Sequence, residues 1–222
     1  MYKCCLFDLD GTILDTVTTI AYYGNMALSY FNLPPAPVEK YNYFAGDGSR
    51  VLTERMLRFC GSYDEKIHDE LWNKYMSLYD DDPYYKTSAF NGMKETITTL
   101  KNMGVRVGVI TNKPQFAAQS VVDKFYGSGF FEICIGVTDG RPTKPDPTVT
   151  LEAVSHMGLT PHDCVFTGDT CVDIQTGKNA GMYTIGVTWG FRPVQELISN
   201  GADFIANKPA DILNVFKEDC NA

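Results

Sequence analysis

Short apolar segments alternate with longer amphipathic segments along most of the chain. Each short segment is rich in β-branched or aromatic residues and is followed by small or polar residues, which is typical of a buried strand. These segments cover residues 4–7, 105–110, 131–135, 164–166 and 183–187. Strands that alternate with helices favour a parallel sheet with helices on its faces. The pattern therefore predicts an α/β fold.

The amphipathic segments predict helices between these strands. Pro114, Pro147 and Pro193 begin three of the segments, and glycines follow the ends of several of them. Both features support the prediction, because a first helical turn accepts proline and glycine commonly terminates a helix. The predicted helices cover residues 92–103, 114–125, 147–157, 173–180 and 193–200.

The stretch 16–82 departs from this alternation. It has no buried-strand run and instead shows aromatic-rich, amphipathic segments around residues 20–31, 49–60 and 64–79. An acidic, proline-containing segment at 80–83 has the composition of a linker. A long detour after the first strand fits a helical domain over an active site better than a structureless loop. We therefore predict a core of residues 1–15 and 83–222 and a helical cap of residues 16–82.

Composition and charge narrow the range of partners. A hydrophobic share of 44% and a charged share of 21% are typical of soluble globular proteins. No run approaches the roughly 18 apolar residues of a membrane span, and a formal net charge of -8 opposes binding to a nucleic-acid backbone. The seven cysteines are scattered, and the N-terminal segment lacks a signal-peptide pattern. We expect a cytoplasmic protein with reduced thiols that binds neither nucleic acid nor membrane.

Polar side chains follow four of the predicted strands at the point where each strand ends. Taken singly, Asp, Asn and Thr often cap helices, and a lysine is usually solvated at the surface. Ligands of open parallel sheets bind beyond the carboxyl ends of the strands, so together these residues predict one shared site. The set consists of Asp8, Asp10, Thr111, Asn112, Lys144, Asp169 and Asp173.

Asp8 and Asp10 are the centre of this predicted site. Side chains two positions apart on an extended strand point the same way, so both carboxylates can face the cleft. A divalent hard cation would relieve their repulsion, and Asp169 could complete an oxygen-rich site suited to Mg²⁺. Gly11 permits a tight turn that would free backbone amides near Thr12 for phosphate oxygens. The residues therefore predict a Mg²⁺ site that binds a phosphate ester.

Four segments, in this order, resemble the motifs of the haloacid dehalogenase superfamily. The resemblance extends over essentially the whole chain and implies a Rossmann-like three-layer core with a parallel sheet. It also implies a helical C1 cap inserted after the first strand, and Mg²⁺-dependent chemistry on a small phosphorylated metabolite. The segments are Asp8-Leu9-Asp10-Gly11-Thr12, Thr111-Asn112, Lys144-Pro145-Asp146 and Gly168-Asp169 with Asp173.

The resemblance also implies a role for each motif residue. Asp8 would attack phosphorus and form an aspartyl-phosphate, while Asp10 would act as general acid and then general base. Thr111 and the following amide, that of Asn112, would bind phosphoryl oxygens, and Lys144 would neutralise charge. The implied metal ligands are the side chains of Asp8 and Asp169, the backbone carbonyl of Asp10, and Asp173 either directly or through water.

Weaker cues point to a branch of the superfamily. Residues 46–50 in the cap and 187–192 in the core are similar to segments of bacterial phosphoglycolate phosphatases. On this resemblance Arg50 and Arg192 are candidate substrate-binding residues, since a guanidinium can bind carboxylate or phosphate in a fork. The alternatives are a surface arginine on the cap for Arg50 and a structural ion pair for Arg192.

The favoured function is hydrolysis of a small phosphomonoester by a phosphoglycolate phosphatase-like enzyme. A phosphomutase of the β-phosphoglucomutase type is the second candidate, since it would use the same aspartyl-phosphate. A pyrophosphatase and a sugar or nucleotide phosphatase of the same superfamily are further alternatives. A catalytically silent binding protein is a distant one, because Asp8, Asp10, Lys144 and Asp169 are all present. Substrate and oligomeric state are left open by the sequence.

Overall fold

A computed structural model describes residues 1–217 of the protein. Six of its strands form one sheet, in the order β5-β4-β1-β6-β7-β8, and every neighbouring pair is parallel. β2 and β3 form a separate antiparallel pair. The strands are β1 (Cys4–Phe7), β2 (Leu14–Asp15), β3 (Ser88–Ala89), β4 (Arg106–Pro114), β5 (Ile133–Val137), β6 (Cys164–Gly168), β7 (Tyr183–Val187) and β8 (Phe204–Ala206).

Helices fill the connections between these strands. Four of them follow β2 without an intervening strand, and the others alternate with strands of the large sheet. The helices are α1 (Val17–Tyr30), α2 (Val38–Phe44), α3 (Ser49–Phe59), α4 (Glu65–Asp81), α5 (Met93–Asn102), α6 (Gln115–Tyr126), α7 (Thr148–His156), α8 (Cys171–Asn179) and α9 (Val194–Ser199).

β1 is the central strand that sets the position of the site. It lies between β4 and β6, and all four of its residues are buried, as expected for an apolar run enclosed on both faces. Phe7 pairs with Val109 of β4 and with Thr167 of β6. The chain therefore leaves β1 and β6 at the same edge of the sheet, and β4 extends past this edge to Pro114.

Side chains that alternate along β1 enter two different hydrophobic clusters. Phe7 belongs to a cluster that contains Ile97 of α5, whereas Leu6 belongs to a cluster that contains Val154 of α7. Helices therefore cover both faces of the sheet and produce three layers. This arrangement confirms the predicted α/β fold with a parallel sheet.

Helices α1 to α4 pack around a hydrophobic cluster of their own. Its fully buried members include Leu28, Tyr41 and Leu71, and it extends to Ala117 of α6 and to Phe191. β2 precedes α1, β3 follows α4, and these two strands pair with each other. The four helices are therefore joined to the rest of the molecule at one end of the sheet.

The structure differs from the sequence prediction in a few elements. β4 continues to Pro114, so the predicted helix at 114–125 begins only at Gln115. β8 was not predicted, because a strand of three residues is too short to show a period of two. The short helix α2 was not predicted either. Among residues 1–217, none of the helices combines the length and apolar character needed to cross a bilayer.

Candidate active site

Three buried carboxylates meet at the carboxyl edge of the sheet. Asp8 directly follows β1, Asp169 directly follows β6, and Asp173 lies in the first turn of α8. One oxygen from each carboxylate lies within 4.8 Å of the others, and none of the three residues is more than 7% exposed. Asp8 and Asp169 come together because β1 and β6 are parallel neighbours that stay in register up to Phe7 and Thr167.

Lys144 places a positive charge inside this cluster. It is buried, its Nζ lies 2.7 Å from Asp8 Oδ1, and it donates a hydrogen bond of 2.6 Å to Asp173 Oδ1. Burial alone lowers the pKa of Lys144, but the charges of Asp173 and Asp8 raise it above its usual value. The side chain is therefore an ammonium group that neutralises part of the carboxylate charge.

Thr111 and Asn112, at the end of β4, have different surroundings. Asn112 donates through Nδ2 to the carbonyls of Lys144 and Gly46, both at 3.0 Å, and its Oδ1 accepts from the Lys144 amide at 2.9 Å. The Asn112 side chain therefore positions Lys144. The Thr111 hydroxyl accepts a hydrogen bond of 3.2 Å from the amide of Lys113.

Asp10 is paired with Lys113, a residue that the sequence interpretation missed. Lys113 Nζ donates to the two Asp10 carboxylate oxygens at 3.0 and 3.2 Å and to the Tyr79 hydroxyl of α4 at 2.7 Å. A signal was available in the sequence, because Lys113 follows Thr111 by two positions at a strand end. That is the same spacing that relates Asp8 to Asp10.

The site holds more negative than positive charge. Burial, followed by the charge of Asp173, raises the pKa of Asp8 to about 7, and burial likewise raises the pKa of Asp169 well above its usual value. The Lys144 ammonium, 2.7 Å from Asp8 Oδ1, acts in the opposite direction and lowers the pKa of Asp8, but it does not outweigh the effects of burial and of Asp173.

The chemistry of this donor set fits a divalent metal ion. Asp8, Asp10, Asp169 and Asp173 supply four carboxylates, whereas two lysines supply ammonium groups, which contact three of the four. When all four carboxylates are ionised, the two negative charges left unbalanced equal in size the charge of one divalent cation. Carboxylate oxygens are the ligands that hard cations such as Mg²⁺ prefer, so the residues present fit such an ion.

The turn after β1 supports Asp169. Gly11 has a φ of 88°, and a Cβ at this position would overlap the Asp169 carboxylate, so only glycine fits. The Thr12 hydroxyl donates to Asp169 Oδ1 at 2.7 Å, and the Phe191 amide donates to Asp169 Oδ2 at 2.8 Å. Both oxygens of this buried carboxylate are therefore fixed in place.

The same turn corrects one expectation from the sequence. The amide of Gly11 donates to the Leu14 carbonyl at 2.8 Å, and the amide of Thr12 donates to the Leu9 carbonyl at 3.3 Å. The turn closes on itself, so these two amides are not free for phosphate oxygens. The contribution of Gly11 and Thr12 to the site is to position Asp169.

Asp173 has partners on both carboxylate oxygens. Oδ1 accepts from Lys144, and Oδ2 accepts from the amide and the hydroxyl of Thr170 at 2.9 and 2.7 Å. The Thr170 contacts form a capping box at the beginning of α8. Both oxygens of Asp173, like those of Asp169, are therefore fixed in place.

A pocket opens over the carboxylates between the edge of the sheet and helices α1 to α4. Asp8, Asp10, Thr111 and Asn112 line its core side, together with Lys113. The helices contribute mainly apolar side chains, which are Ile20, Leu52, Tyr75, Met76 and Tyr79. The pocket therefore has a charged base and an apolar upper wall.

The two arginines predicted to bind substrate lie outside the lining of this pocket. Arg50 is exposed, and its Nη1 lies 2.7 Å from Asp69 Oδ1. Arg192 is buried, donates through Nη2 to the Ala45 carbonyl at 3.2 Å, and has Nε 3.3 Å from Glu196. Their placement does not support the predicted substrate contacts. It matches the structural alternatives, a surface arginine and an internal ion pair.

Fold and site together define an α/β protein with an acidic centre at the carboxyl ends of its parallel strands. The family model of haloacid dehalogenase-like hydrolases matches residues 5–187. The chain belongs to this family, as the sequence motifs predict.

Curated relatives and solved structures agree with this assignment. Phosphoglycolate phosphatase 1 of Pseudomonas aeruginosa is 32% identical over 95% of this chain and 82% of its own. The phosphoglycolate phosphatase of Mannheimia succiniciproducens is 30% identical over 96% of this chain and 98% of its own. The crystal structure of a predicted phosphoglycolate phosphatase from Haemophilus somnus superimposes with a TM-score of 0.91 at 27% identity, covering 97% of this chain and 98% of that one.

Proposed function

We propose that this chain is a Mg²⁺-dependent phosphatase that hydrolyses small phosphomonoesters through an aspartyl-phosphate on Asp8, with 2-phosphoglycolate as the first candidate substrate. The observation that carries the proposal is the position of Asp8. Its carboxylate lies at the base of the pocket, against Lys144 and within reach of two further buried carboxylates. The names of the relatives described above support the choice of candidate substrate.

In the proposed reaction, a carboxylate oxygen of Asp8 forms a bond to phosphorus while the bond from phosphorus to the ester oxygen breaks. Asp10 donates a proton to the departing oxygen and later removes one from the attacking water. That water displaces Asp8 and releases inorganic phosphate. Lys144 and Thr111 stabilise the charge that develops on the phosphoryl oxygens, and Lys144 also orients Asp8.

The metal in this proposal would be held by the Asp8 and Asp169 side chains and the Asp10 carbonyl. Asp173 would contribute either directly or through water. When bound, it would neutralise carboxylate and phosphoryl charge. Thr12 and Phe191 fix the Asp169 carboxylate, and Lys144 holds that of Asp173, through hydrogen bonds within the chain. Arranging these donors in advance is therefore the contribution of the protein to metal binding.

The proposal includes a division of labour between two domains. Residues 1–15 and 83–222 would form the catalytic core, and residues 16–82 would form a cap that covers the pocket with apolar side chains. Excluding water from the site strengthens the electrostatic contacts inside it. We also propose a cytoplasmic location, supported by the six free cysteines among residues 1–217; Cys220 lies outside the described residues.

The proposed activity is tested by a Mg²⁺-dependent phosphate-release screen. The panel contains 2-phosphoglycolate, sugar phosphates, nucleotides and pyrophosphate, each with Mg²⁺ and with EDTA. We expect metal-dependent turnover with 2-phosphoglycolate among the best substrates. Conversion of a sugar phosphate into its isomer without phosphate release would indicate the mutase alternative, and a lack of turnover on every compound would overturn the proposal.

Metal binding is expected to stabilise the protein more at high pH than at low pH. Burial raises the pKa of Asp8 to about 7, so between the usual aspartate pKa of 3.8 and about 7 the folded, metal-free state binds more protons than the unfolded state. The metal-free protein should therefore lose stability as pH rises through this window. Mg²⁺ binds the ionised carboxylates and should offset that loss.

Thermal unfolding with Mg²⁺ and with EDTA checks this prediction. We expect Mg²⁺ to raise Tm clearly at about pH 8 and much less at about pH 5. The Asp169→Asn variant should show a smaller Mg²⁺ effect at both pH values, because it removes a ligand. A wild-type Tm shift that is equal at the two pH values would argue against binding by these carboxylates.

A further inference from the structure

The charged groups that line the pocket are few. Among the described residues that form its surface, the charged side chains are Asp8, Asp10 and Lys113, and the others are apolar or neutral. Lys144 lies in the carboxylate cluster, where it contacts Asp8 and Asp173. Lys113 is therefore the cation that a substrate meets in the part of the pocket that faces the helices.

Lys113 is buried and has one charged partner. The residue is 7% exposed, and its ammonium contacts the Asp10 carboxylate and the Tyr79 hydroxyl. Burial and the charge of Asp10 raise the pKa of Tyr79 well above its usual value, so this hydroxyl is neutral and balances no charge. An ammonium group has three donors, which Lys113 uses for the two Asp10 oxygens and the Tyr79 hydroxyl, so a substrate carboxylate would take the place of one of the two bonds to Asp10.

The end of β4 places Lys113 beside the expected position of the phosphoryl group. Thr111, Asn112 and Lys113 all line the pocket, and Thr111 is the proposed phosphoryl contact. Two positions along an extended strand span roughly 6–7 Å. An acceptor for Lys113 would therefore have to lie only a few bonds from phosphorus, as in a short substrate.

We propose that Lys113 determines specificity by binding a carboxylate that the substrate carries close to its phosphoryl group. The ligand class is thus a short phosphomonoester of a hydroxy acid. This inference rests on the proposed phosphatase function and assigns the substrate contact to Lys113 instead of Arg50 or Arg192. Tyr79 contacts Lys113 from α4, so closure of helices α1 to α4 over the pocket would hold the ammonium in place.

The test compares 2-phosphoglycolate with its neutral amide, which has nearly the same size and the same phosphoryl group. We expect wild-type kcat/KM to be about 100-fold higher for the carboxylate than for the amide. A factor of this order is usual when a hydrogen bond to a charged group is lost. Lys113→Met should reduce kcat/KM for the carboxylate by about 10- to 100-fold more than for the amide. Lys113→Arg should keep most of the preference, and Lys66→Met, at an exposed lysine of α4, should leave both values unchanged.

The comparison separates specificity from a purely positioning role. If Lys113 acted only by holding Asp10, Lys113→Met would slow both substrates by the same factor, and this result would overturn the inference. A wild-type enzyme that hydrolyses the carboxylate and the amide equally well would also overturn it while leaving the phosphatase proposal intact. Failure to hydrolyse any phosphomonoester would instead overturn the proposed function itself.

A second measurement uses only the wild-type protein, in case Lys113→Met does not fold. Phosphonoacetate carries both a phosphonate and a carboxylate, whereas methylphosphonate lacks the carboxylate. We expect phosphonoacetate to inhibit phosphate release at a concentration at least about 10-fold lower than methylphosphonate does. Equal inhibition by the two compounds would contradict a carboxylate-binding role for Lys113.

Discussion

Replacing Asp8 with asparagine is expected to reduce kcat/KM by at least about 10,000-fold, as is typical when a covalent nucleophile is lost. The amide has almost the same shape as the carboxylate but does not form the bond to phosphorus. The fold should survive, because the change removes a charge from a buried cluster in which Asp169 and Asp173 remain. At about pH 8 we expect the metal-free variant to unfold at the same or a higher temperature than the wild type.

The control for this variant is Asp146→Asn, which makes the same chemical change two residues after Lys144. Asp146 is exposed, and its carboxylate accepts a hydrogen bond of 2.9 Å from the Thr148 amide. Asparagine can make the same contact, so kcat/KM should be unchanged. Phosphate release and thermal unfolding are measured for both variants. Turnover by Asp8→Asn above about 1% of wild type would show that another group attacks phosphorus.

Lys144→Met is expected to damage both catalysis and stability. The ammonium lies 2.7 Å from Asp8 and 2.6 Å from Asp173, so its removal leaves buried carboxylates without a counter-charge. Breaking a buried ion pair in this way costs about 3–5 kcal/mol, which corresponds to a fall in Tm of about 10 °C. Loss of its charge stabilisation should lower kcat by about 100- to 1,000-fold.

The matched control is Lys3→Met, because Lys3 also pairs with an aspartate but in solvent. Its Nζ lies 2.8 Å from Asp163 Oδ1, and its side chain is 64% exposed. Exposed ion pairs contribute little to stability, so Tm should change by less than about 2 °C and activity not at all. Added Mg²⁺ should recover part of the stability lost in Lys144→Met, since it supplies positive charge. Equal Tm values for the two variants would contradict the structural role of Lys144.

Much of the fold and of the carboxylate cluster follows from the sequence for a simple physical reason. Parallel strands end at a common edge, so the residues that follow each apolar run lie close together there. Asp8 and Asp169 illustrate this, because β1 and β6 are in register up to Phe7 and Thr167. The position of β4 beside β1 brings Thr111 to the same edge.

The contacts made by helices α1 to α4 could not be predicted from the positions of strand ends. Amphipathic patterns reveal that a helix has a buried face, but not which other element covers it. Arg50 was therefore predicted as a candidate substrate-binding residue, although it is exposed and pairs with Asp69. Lys113 was overlooked because β4 was expected to end at Ile110, and its partner Tyr79 lies far away in the sequence.

The most direct test of the central claim is to trap the proposed intermediate on Asp8. Wild-type protein turning over the best substrate of the screen with Mg²⁺ is quenched in acid and reduced with borohydride, which converts an aspartyl-phosphate to homoserine. Mass spectrometry of the peptides then identifies the residue that was modified. We predict homoserine at position 8 and at no other aspartate, and none in samples quenched without substrate. Modification of a different residue, or none during active turnover, would contradict the account.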